Sequence, residues 1–294
     1  MGWVQLILEA GERDPEALAA LFESLGAASV TFEDAGDQPL LEPGVGETPL
    51  WDRTRVIGLF EAGQADAVRT RLRSELGAAA ERLAVEALPD RDWTRAWMDA
   101  FRPMRFGSRL WVVPTGFEAP AVAEVVLHLD PGLAFGTGTH PTTALCLEWL
   151  DANPPVGQQV IDYGCGSGIL AVAACLLGAE AVLAIDIDPQ ALTATRENAQ
   201  RNQVAGQITA CLPEADPGVS ADLLLANILA NPLIELAPRL AARVRPGGRI
   251  VLSGILEDQA EAVHAAYAPF FELEAPASRE GWVRLVGMRT EAPA

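Results

Sequence analysis

A glycine-rich stretch in the second half of the chain has the residue types of a ligand-binding turn. It runs from Asp162 to Gly168, with glycine at positions 164, 166 and 168, between a short apolar run and a longer one. This order predicts a buried strand, a turn and a helix. Because glycine lets the backbone turn sharply and approach a ligand without a Cβ in the way, we expect a nucleotide-like cofactor there.

A second acidic residue, Asp186, ends the next predicted strand. It follows Gly164 by 22 residues, close to the separation of roughly 20 residues at which a strand-end acid meets ribose hydroxyls. Two cofactor classes fit this pattern. A dinucleotide fingerprint would have its third glycine at the position of Ile169, and its pyrophosphate would be repelled by the carboxylate of Asp162. S-adenosylmethionine carries a cationic sulfonium and a cationic amino group, so the same carboxylate favours a methyl donor over a nicotinamide or a flavin.

Composition excludes several classes of protein. The 294-residue chain is long enough for one large domain and a smaller one, and its 50% hydrophobic and 21% charged residues predict a globular protein. Its formal net charge of -19 disfavours phosphate backbones and favours cationic partners. Four cysteines without a C-x-x-C spacing and three histidines indicate neither a disulfide framework nor a metal site.

The sequence also predicts a cytoplasmic protein without a membrane segment. Its first residues lack a basic region followed by an apolar one, so no secretory signal is visible. The longest uncharged apolar run, residues 169–179, has 11 residues, whereas a helix needs about 20 to cross a bilayer.

The elements that must position the glycine turn fall into two groups. The first 90 residues follow the order β-α-β-β-α-β, which predicts a ferredoxin-like α+β domain. Its strands are predicted at 3–8, 28–33, 55–60 and 82–87 and its helices at 15–25 and 65–76. Since this part lacks glycine turns at strand ends and clustered titratable groups, we interpret it as a recognition or docking module. A short helix should follow, with Trp93, Trp97 and Phe101 on one face; a hinge helix and ordinary core packing both stay open.

In residues 106–294, strands alternate with helices. Helices are predicted at 141–151, 169–178, 189–202, 232–243 and 257–268, and strands after the glycine turn at 181–186, 207–211, 222–226, 248–253, 270–274 and 282–288. Two more strands, at 109–113 and 124–129, precede them. The alternation predicts a doubly wound parallel α/β sheet, and the last two strands, with no helix between them, predict an antiparallel hairpin at one edge.

Polar residues at two other positions are candidates for the site. Asn227 follows the strand 222–226, whose carboxyl end should border the cofactor crevice, although an Asn there also suits a turn or a helix cap. The loop 130–143 is rich in Gly and Thr and precedes a helix, which favours a polar cradle for the charged end of a ligand. His140 in this loop is interpreted as a local hydrogen-bonding residue rather than as a general base.

These motifs together resemble a known family. Asp162-x-Gly164-x-Gly166-x-Gly168, Asp186, the Asn198-Ala199-x-x-Asn202 helix and Asn227 resemble class I S-adenosylmethionine-dependent methyltransferases. Five stretches are similar to the PrmA family, the methyltransferases of large-subunit ribosomal protein L11: Glu47-Thr48, Asp92-Trp93-x-x-x-Trp97, Pro103-Met104-Arg105-Phe106-Gly107, Gly132 to Thr143, and Asn227-Ile228-Leu229-Ala230. The resemblance covers essentially the whole chain.

The resemblance implies an architecture and an activity. The architecture is a ferredoxin-like substrate-recognition domain at 1–90, a linker helix at 91–105 and a Rossmann-like methyltransferase domain at 106–294. The activity is transfer of methyl groups from S-adenosylmethionine to the N-terminal α-amine and to lysine side chains of the ribosomal protein, as trimethylation. By the family's pattern, cofactor contacts fall on Thr143, Gly164, Asp186 and Asn227.

The residue-level prediction is a cofactor site without a metal. Its members share positions at strand ends and turns: Phe135, Gly136, Thr137, Thr143, Asp162, Gly164, Gly166, Gly168, Asp186 and Asn227. Asn227 is also the predicted catalytic residue, since it would orient the lone pair of the substrate amine together with nearby backbone carbonyls. No histidine or acid is convincingly placed as a dedicated base, so the sequence favours catalysis by positioning and desolvation.

The expected partner is a basic ribosomal protein, met free rather than bound to the ribosome, with no direct contact to nucleic acid. Three other functions stay open. The first is a nicotinamide-dependent oxidoreductase. The second is an RNA or release-factor methyltransferase, which the net charge disfavours and which would carry Pro-Pro-Tyr where this chain has Ile228-Leu229-Ala230. The third is a non-catalytic assembly factor that binds a ribosomal protein, although a pure binder needs no cofactor crevice.

Overall fold

A computed structural model describes residues 2–36, 38, 48–88, 102–130 and 140–290. The chain divides into two compact units, Met1–Trp97 and Met98–Ala294. The predicted helix with Trp93, Trp97 and Phe101 lies mostly outside the described residues, so the structure does not test it. No described helix is both long and apolar enough to cross a bilayer.

The first unit is a four-stranded antiparallel sheet with two helices. Its elements are β1 (Trp3–Glu9), α1 (Pro15–Ser24), β2 (Ser29–Asp34), β3 (Thr54–Glu61), α2 (Ala65–Leu76) and β4 (Ala84–Leu88). The strand order is β2-β3-β1-β4, and every neighbouring pair is antiparallel. This is the ferredoxin-like arrangement that the element order predicts.

Alternation along the strands explains how this unit folds. In β1, Val4, Leu6 and Leu8 are buried, while the two residues between them are half-buried, as expected when one face of a sheet is covered. The covering side chains are Phe22 of α1 and Leu72 of α2, both fully buried. Helix α1 begins where Asp14 accepts a hydrogen bond from the Glu16 N–H at 3.0 Å.

The second unit is built on one large sheet. Its strands are β8 (Gln159–Tyr163), β9 (Ala181–Ile185), β10 (Ile208–Cys211), β11 (Ala221–Asn227), β12 (Val244–Leu256), β13 (Phe271–Leu273), β14 (Ala277–Arg279) and β15 (Trp282–Arg289). The order is β10-β9-β8-β11-β12-β15-β13, and β14 pairs with β15. The first five strands are parallel, whereas β15 runs antiparallel to β12, β13 and β14. The predicted parallel sheet with an antiparallel edge hairpin is thus confirmed.

In the described part of this unit, five helices cover the two faces of the sheet: α3 (Pro141–Ala152), α4 (Ile169–Leu176), α5 (Pro189–Arg201), α6 (Ala230–Ala242) and α7 (Ala260–Tyr267). One apolar cluster joins α3, α4 and α5 to the sheet, and a second joins α6 and α7 to the opposite face. Because both faces are covered, the central strands are continuous apolar runs rather than alternating ones.

A separate three-stranded sheet precedes this core. It consists of β5 (Met104–Phe106), β6 (Leu110–Val113) and β7 (Val125–His128), with β5 antiparallel and β7 parallel to β6. The sequence predicts β6 and β7 but not β5. It also misses β14 and the full length of β12, because strands of three residues and strand ends containing Pro and Gly give no periodic signal.

Candidate functional site

The large sheet has a point at which its strand order reverses. Strand β8 lies between β9 on one side and β11 on the other. At such a point the connections leave the strands in opposite directions and open a crevice beyond their carboxyl ends. The glycine turn follows β8, Asp186 follows β9 and Asn227 ends β11, so three of the sequence motifs meet at this crevice.

The glycine turn has the backbone geometry that its residues predict. Gly164, Gly166 and Gly168 have φ of 77°, 53° and 77°, in the region that only glycine enters at little cost. The Gly164 N–H donates to the carbonyl of Ile185 at 2.7 Å. A Cβ on Gly164 would lie 2.1 Å from Cγ2 of Ile228, so the space there is already filled.

Asp186, directly after β9, is hydrogen-bonded to the glycine turn that follows the neighbouring strand β8. Its Oδ2 accepts from the Gly166 N–H at 2.8 Å and its Oδ1 accepts from the Asp188 N–H at 3.0 Å. The next residue, Ile187, has 82% of its surface exposed, which is uncommon for a large aliphatic side chain at a strand end. Ile187 is not among the site residues predicted from the sequence, although an apolar residue directly after the strand-end acid is a signal that identifies it.

Asp162 is buried below the turn, with 1% of its surface exposed. Its Oδ2 accepts from the Ala171 N–H of α4 at 2.9 Å. Burial raises its pKa to about 7, the Ala171 bond opposes the rise, and the charge of Asp186 adds to it. An ionised carboxylate is expected here from the sequence, whereas burial shifts this group toward its protonated form.

Asn227 and Thr143 lie in contact although 84 positions separate them. The Asn227 Nδ2 donates to the Thr143 Oγ1 at 3.3 Å. Thr143, in the first turn of α3, is fully buried, and Asn227 is half-buried. The N-cap of α6 is Leu229, so Asn227 is not the cap of that helix. Because its amide nitrogen is directed at Thr143, the Oδ1 of Asn227 points away from Thr143.

The loop after Asn227 rests on a bulge that the sequence analysis did not identify. Strand β12 changes register with β15 between Leu252 and Ile255. At the bulge, Gly254 has φ of 84°, and a Cβ there would lie 2.3 Å from the carbonyl oxygen of Ile228. Ile228 is therefore held between Gly254 on one side and Gly164 on the other.

His140 has the local role that the sequence predicts. It is the N-cap of α3, and its Nδ1 lies 2.8 Å from the Thr142 Oγ1. Its ring packs edge-on against Trp282, with 4.8 Å between ring centroids. Burial lowers its pKa, partly opposed by Glu280, which favours the neutral imidazole.

Some predicted site residues are not tested. Phe135, Gly136 and Thr137 lie outside the described residues. Within the described ranges, no group of three or more His, Cys, Asp and Glu side chains could hold a metal ion. Burial raises the pKa of Cys165 in the turn, so its thiol is not an activated nucleophile.

Three comparisons bear on this arrangement. The profile of the family described as Ribosomal protein L11 methyltransferase (PrmA) matches residues 2–290. Curated relatives named Ribosomal protein L11 methyltransferase include those of Methylococcus capsulatus, 58% identical over 98% of this chain and 99% of its own, and Hahella chejuensis, 54% identical over 98% and 99%. A crystal structure of ribosomal protein L11 methylase from Lactobacillus delbrueckii subsp. bulgaricus is similar with a TM-score of 0.58 and 33% identity, covering 65% of this chain and 100% of that one.

Proposed function

The chain belongs to the ribosomal protein L11 methyltransferase family, and from this premise we propose that it methylates the amines of ribosomal protein L11, namely the N-terminal α-amine and lysine side chains, up to trimethylation. The methyl donor is S-adenosylmethionine. The observation that carries the proposal is the crevice at the strand-order reversal, where a glycine turn, two carboxyl groups and one amide converge. A nicotinamide oxidoreductase would also bind its cofactor at a glycine-rich turn, but the family to which this chain belongs is one of methyltransferases.

The residues at the crevice fit this donor chemically. Asp186 presents carboxylate oxygens suited to ribose hydroxyls, and the exposed Ile187 beside it offers an apolar surface to an adenine ring. The buried Asp162 gains its charge when a sulfonium or an ammonium group is near. We assign Gly164, Gly166 and Gly168 to the backbone wall of the site, and we retain Phe135, Gly136, Thr137 and Thr143 as proposed contacts.

The reaction is an in-line displacement. The amine nitrogen forms a bond to the methyl carbon as the bond from that carbon to sulfur breaks, leaving S-adenosylhomocysteine and a methylated ammonium. After the first and second transfers this ammonium releases a proton to solvent, and after the third it is quaternary and has none to release. A lysine amine, with an ordinary pKa of about 10.4, must lose a proton before each transfer. In the first two transfers, Asn227 Oδ1 is the group proposed to accept a hydrogen bond from that amine and so orient its lone pair. Burial of the amine would lower its pKa, which supplies the neutral form without a dedicated base.

The partner is proposed from charge. The formal net charge of -19 attracts a basic ribosomal protein and repels RNA. The free protein is therefore the proposed substrate, rather than its ribosome-bound form, and no direct contact with nucleic acid is expected. Residues 1–90 are proposed to recognise the substrate, 91–105 to link and 106–294 to catalyse. Since ribosomal proteins are made and assembled in the cytoplasm, we place the enzyme there.

A mass-spectrometric experiment tests the proposal with little ambiguity. The 294-residue sequence contains no lysine, because all 21 of its basic residues are arginine. After incubation of the chain with S-adenosylmethionine and purified L11, every methylated lysine found therefore belongs to the substrate. We expect mass increments of L11 in multiples of three methyl groups. Unmodified L11 under these conditions would refute the proposal, and fluorescence titration with NADH tests the oxidoreductase alternative directly.

A further inference from the structure

One motif singled out in the sequence has no role so far: the polar residues of helix α5. Thr195 and Asn198 lie on this helix, and Asn202, four residues after Asn198, is its C-cap residue. All three are buried, with 0%, 7% and 8% of their surfaces exposed. Asn and Thr are poor helix formers, and their burial costs free energy unless every polar atom finds a partner. Their partners therefore show what they are for.

Thr195 and Asn198 both bond to the carbonyls of the glycine turn. The Thr195 Oγ1 donates to the carbonyl of Gly166 at 3.1 Å, and the Asn198 Nδ2 donates to the carbonyl of Ser167 at 2.8 Å. Thr195 also lies 3.3 Å from the Cys165 Sγ. Its hydroxyl hydrogen is used on Gly166, so the thiol is the donor of that contact. Two consecutive peptide carbonyls of the turn are thus held against α5.

The same helix is anchored to its surroundings at its last turn. The Asn202 Oδ1 accepts from the His128 N–H at 2.7 Å, and its Nδ2 donates to the His128 carbonyl at 2.8 Å. The Arg201 guanidinium donates to the Asn198 Oδ1 at 2.9 Å, which fixes the direction of the Asn198 amide. The amide that holds the turn cannot rotate without breaking this second bond.

We propose that Thr195 and Asn198 are positioning residues for the methyl donor, acting through the peptide carbonyls of the glycine turn. Peptide units are planar, so the two carbonyls directed at α5 fix the orientation of the N–H groups in the same units, those of Ser167 and Gly168. The Gly168 N–H donates to the Cys165 carbonyl at 2.7 Å and so closes the turn. The two side chains therefore hold the turn in the conformation that meets the cofactor, although neither is proposed to touch it. This role rests on the proposed function, since it presupposes a donor at the turn.

The test compares the variant Thr195→Val with a control variant that removes a buried hydrogen bond far from the crevice. Valine keeps the shape of Thr195 and removes its hydroxyl. Tyr267→Phe is the matched control, because the Tyr267 hydroxyl donates to the carbonyl of Leu233 at 2.9 Å in the core of the same unit. Each variant loses one buried side-chain-to-carbonyl bond, and Thr195→Val also removes the acceptor of the Cys165 thiol, so Thr195→Val should lose at least as much thermal stability as Tyr267→Phe. Binding of S-adenosylmethionine is measured by calorimetry on the full chain.

We expect Thr195→Val to raise the Kd for S-adenosylmethionine about five- to tenfold, with little change in kcat at saturating donor, and Tyr267→Phe to leave the Kd unchanged. Thr195→Ser, which restores a hydroxyl, should recover most of the affinity, and Asn198→Leu should repeat the loss. If Thr195→Val lowers the Tm as Tyr267→Phe does but leaves the Kd unchanged, the positioning role is wrong. Failure of the unmodified chain to bind S-adenosylmethionine at all would instead contradict the proposed function.

Discussion

At the scale of single residues, Asp162 is a carboxyl group that the fold withdraws from water close to where a cationic donor is proposed to bind. Burial raises its pKa to about 7, from an ordinary value near 3.8. A raised pKa means that the folded protein favours the protonated form. Its contribution to stability is therefore full below pH 4 and is lost as the pH rises through about 7.

The first prediction concerns the pH dependence of donor affinity. Between pH 6 and pH 8 Asp162 ionises, so the affinity for S-adenosylmethionine should rise over this range. S-adenosylhomocysteine lacks the sulfonium charge and should show a smaller rise. Calorimetry in buffers of different ionisation enthalpy would measure the proton released on binding. An affinity that is flat from pH 6 to pH 8 would contradict the role given to this carboxyl group.

The second prediction distinguishes the effect of the Asp162 charge on donor binding from its effect on the stability of the fold. Asp162→Asn keeps an oxygen for the Ala171 N–H and removes the charge. We expect the cofactor-free variant to have a higher Tm than the unmodified chain at pH 8, a smaller difference at pH 6, and weaker binding of S-adenosylmethionine. Scanning calorimetry at the two pH values checks the sign. If the Tm of the variant relative to that of the unmodified chain is lower at pH 8 than at pH 6, the buried charge of Asp162 does not destabilise the folded protein.

Asn227 and Thr143 give a third prediction, on turnover. Thr143→Val removes the oxygen that accepts from the Asn227 amide, so that amide loses its fixed direction. We expect kcat to fall about five- to tenfold, since one hydrogen bond is worth about 1 kcal/mol. Thr143→Ser keeps the oxygen and is the matched control, whereas Asn227→Ala should lower turnover further. Unchanged donor binding and unchanged turnover in Asn227→Ala would dismiss the role of its side chain.

At the scale of secondary-structure elements, the sequence predicts most of what local periodicity can specify. Helix α2 has the predicted bounds, and the ends of β1 and α5 differ by a single residue. The elements it misses, β5 and β14, have three residues each, too few for a periodic pattern, although each pairs with the strand that follows it through a short turn. The limit at the site is different, because the Asn227 contact with Thr143 spans 84 positions and no local pattern encodes it.

The bulge in β12 leads to a prediction on glycine. Gly254 and Gly281 both have positive φ, of 84° and 79°, so alanine strains the backbone similarly at either position, by about 1 kcal/mol. They differ in their surroundings, since a Cβ on Gly254 would meet the Ile228 backbone at 2.3 Å and one on Gly281 would meet nothing within 4 Å. Gly254→Ala should therefore displace the loop after Asn227 and lower both stability and turnover, as measured by Tm and kcat. If Gly254→Ala and Gly281→Ala change Tm and kcat equally, the loop after Asn227 adjusts to the added Cβ without cost.

At the scale of the whole molecule, two features act together: a cofactor crevice built by one unit and a strongly acidic chain. Motifs visible in the sequence predict the family, the doubly wound sheet and the methyl donor. The comparisons confirm all three predictions.

The acidic chain gives the last prediction, on the salt dependence of turnover. With a formal net charge of -19, the enzyme should attract free L11 over distances that salt shortens, since the Debye length is about 30 Å at 0.01 M and about 8 Å at 0.15 M. We expect kcat/KM for L11 to fall roughly tenfold between these ionic strengths, because electrostatic steering acts on association. The Kd for S-adenosylmethionine is the internal control, and it should change far less, because a small ligand held inside a crevice is screened less by salt. If kcat/KM does not change with salt, the net charge of the chain does not govern the association of the enzyme with L11.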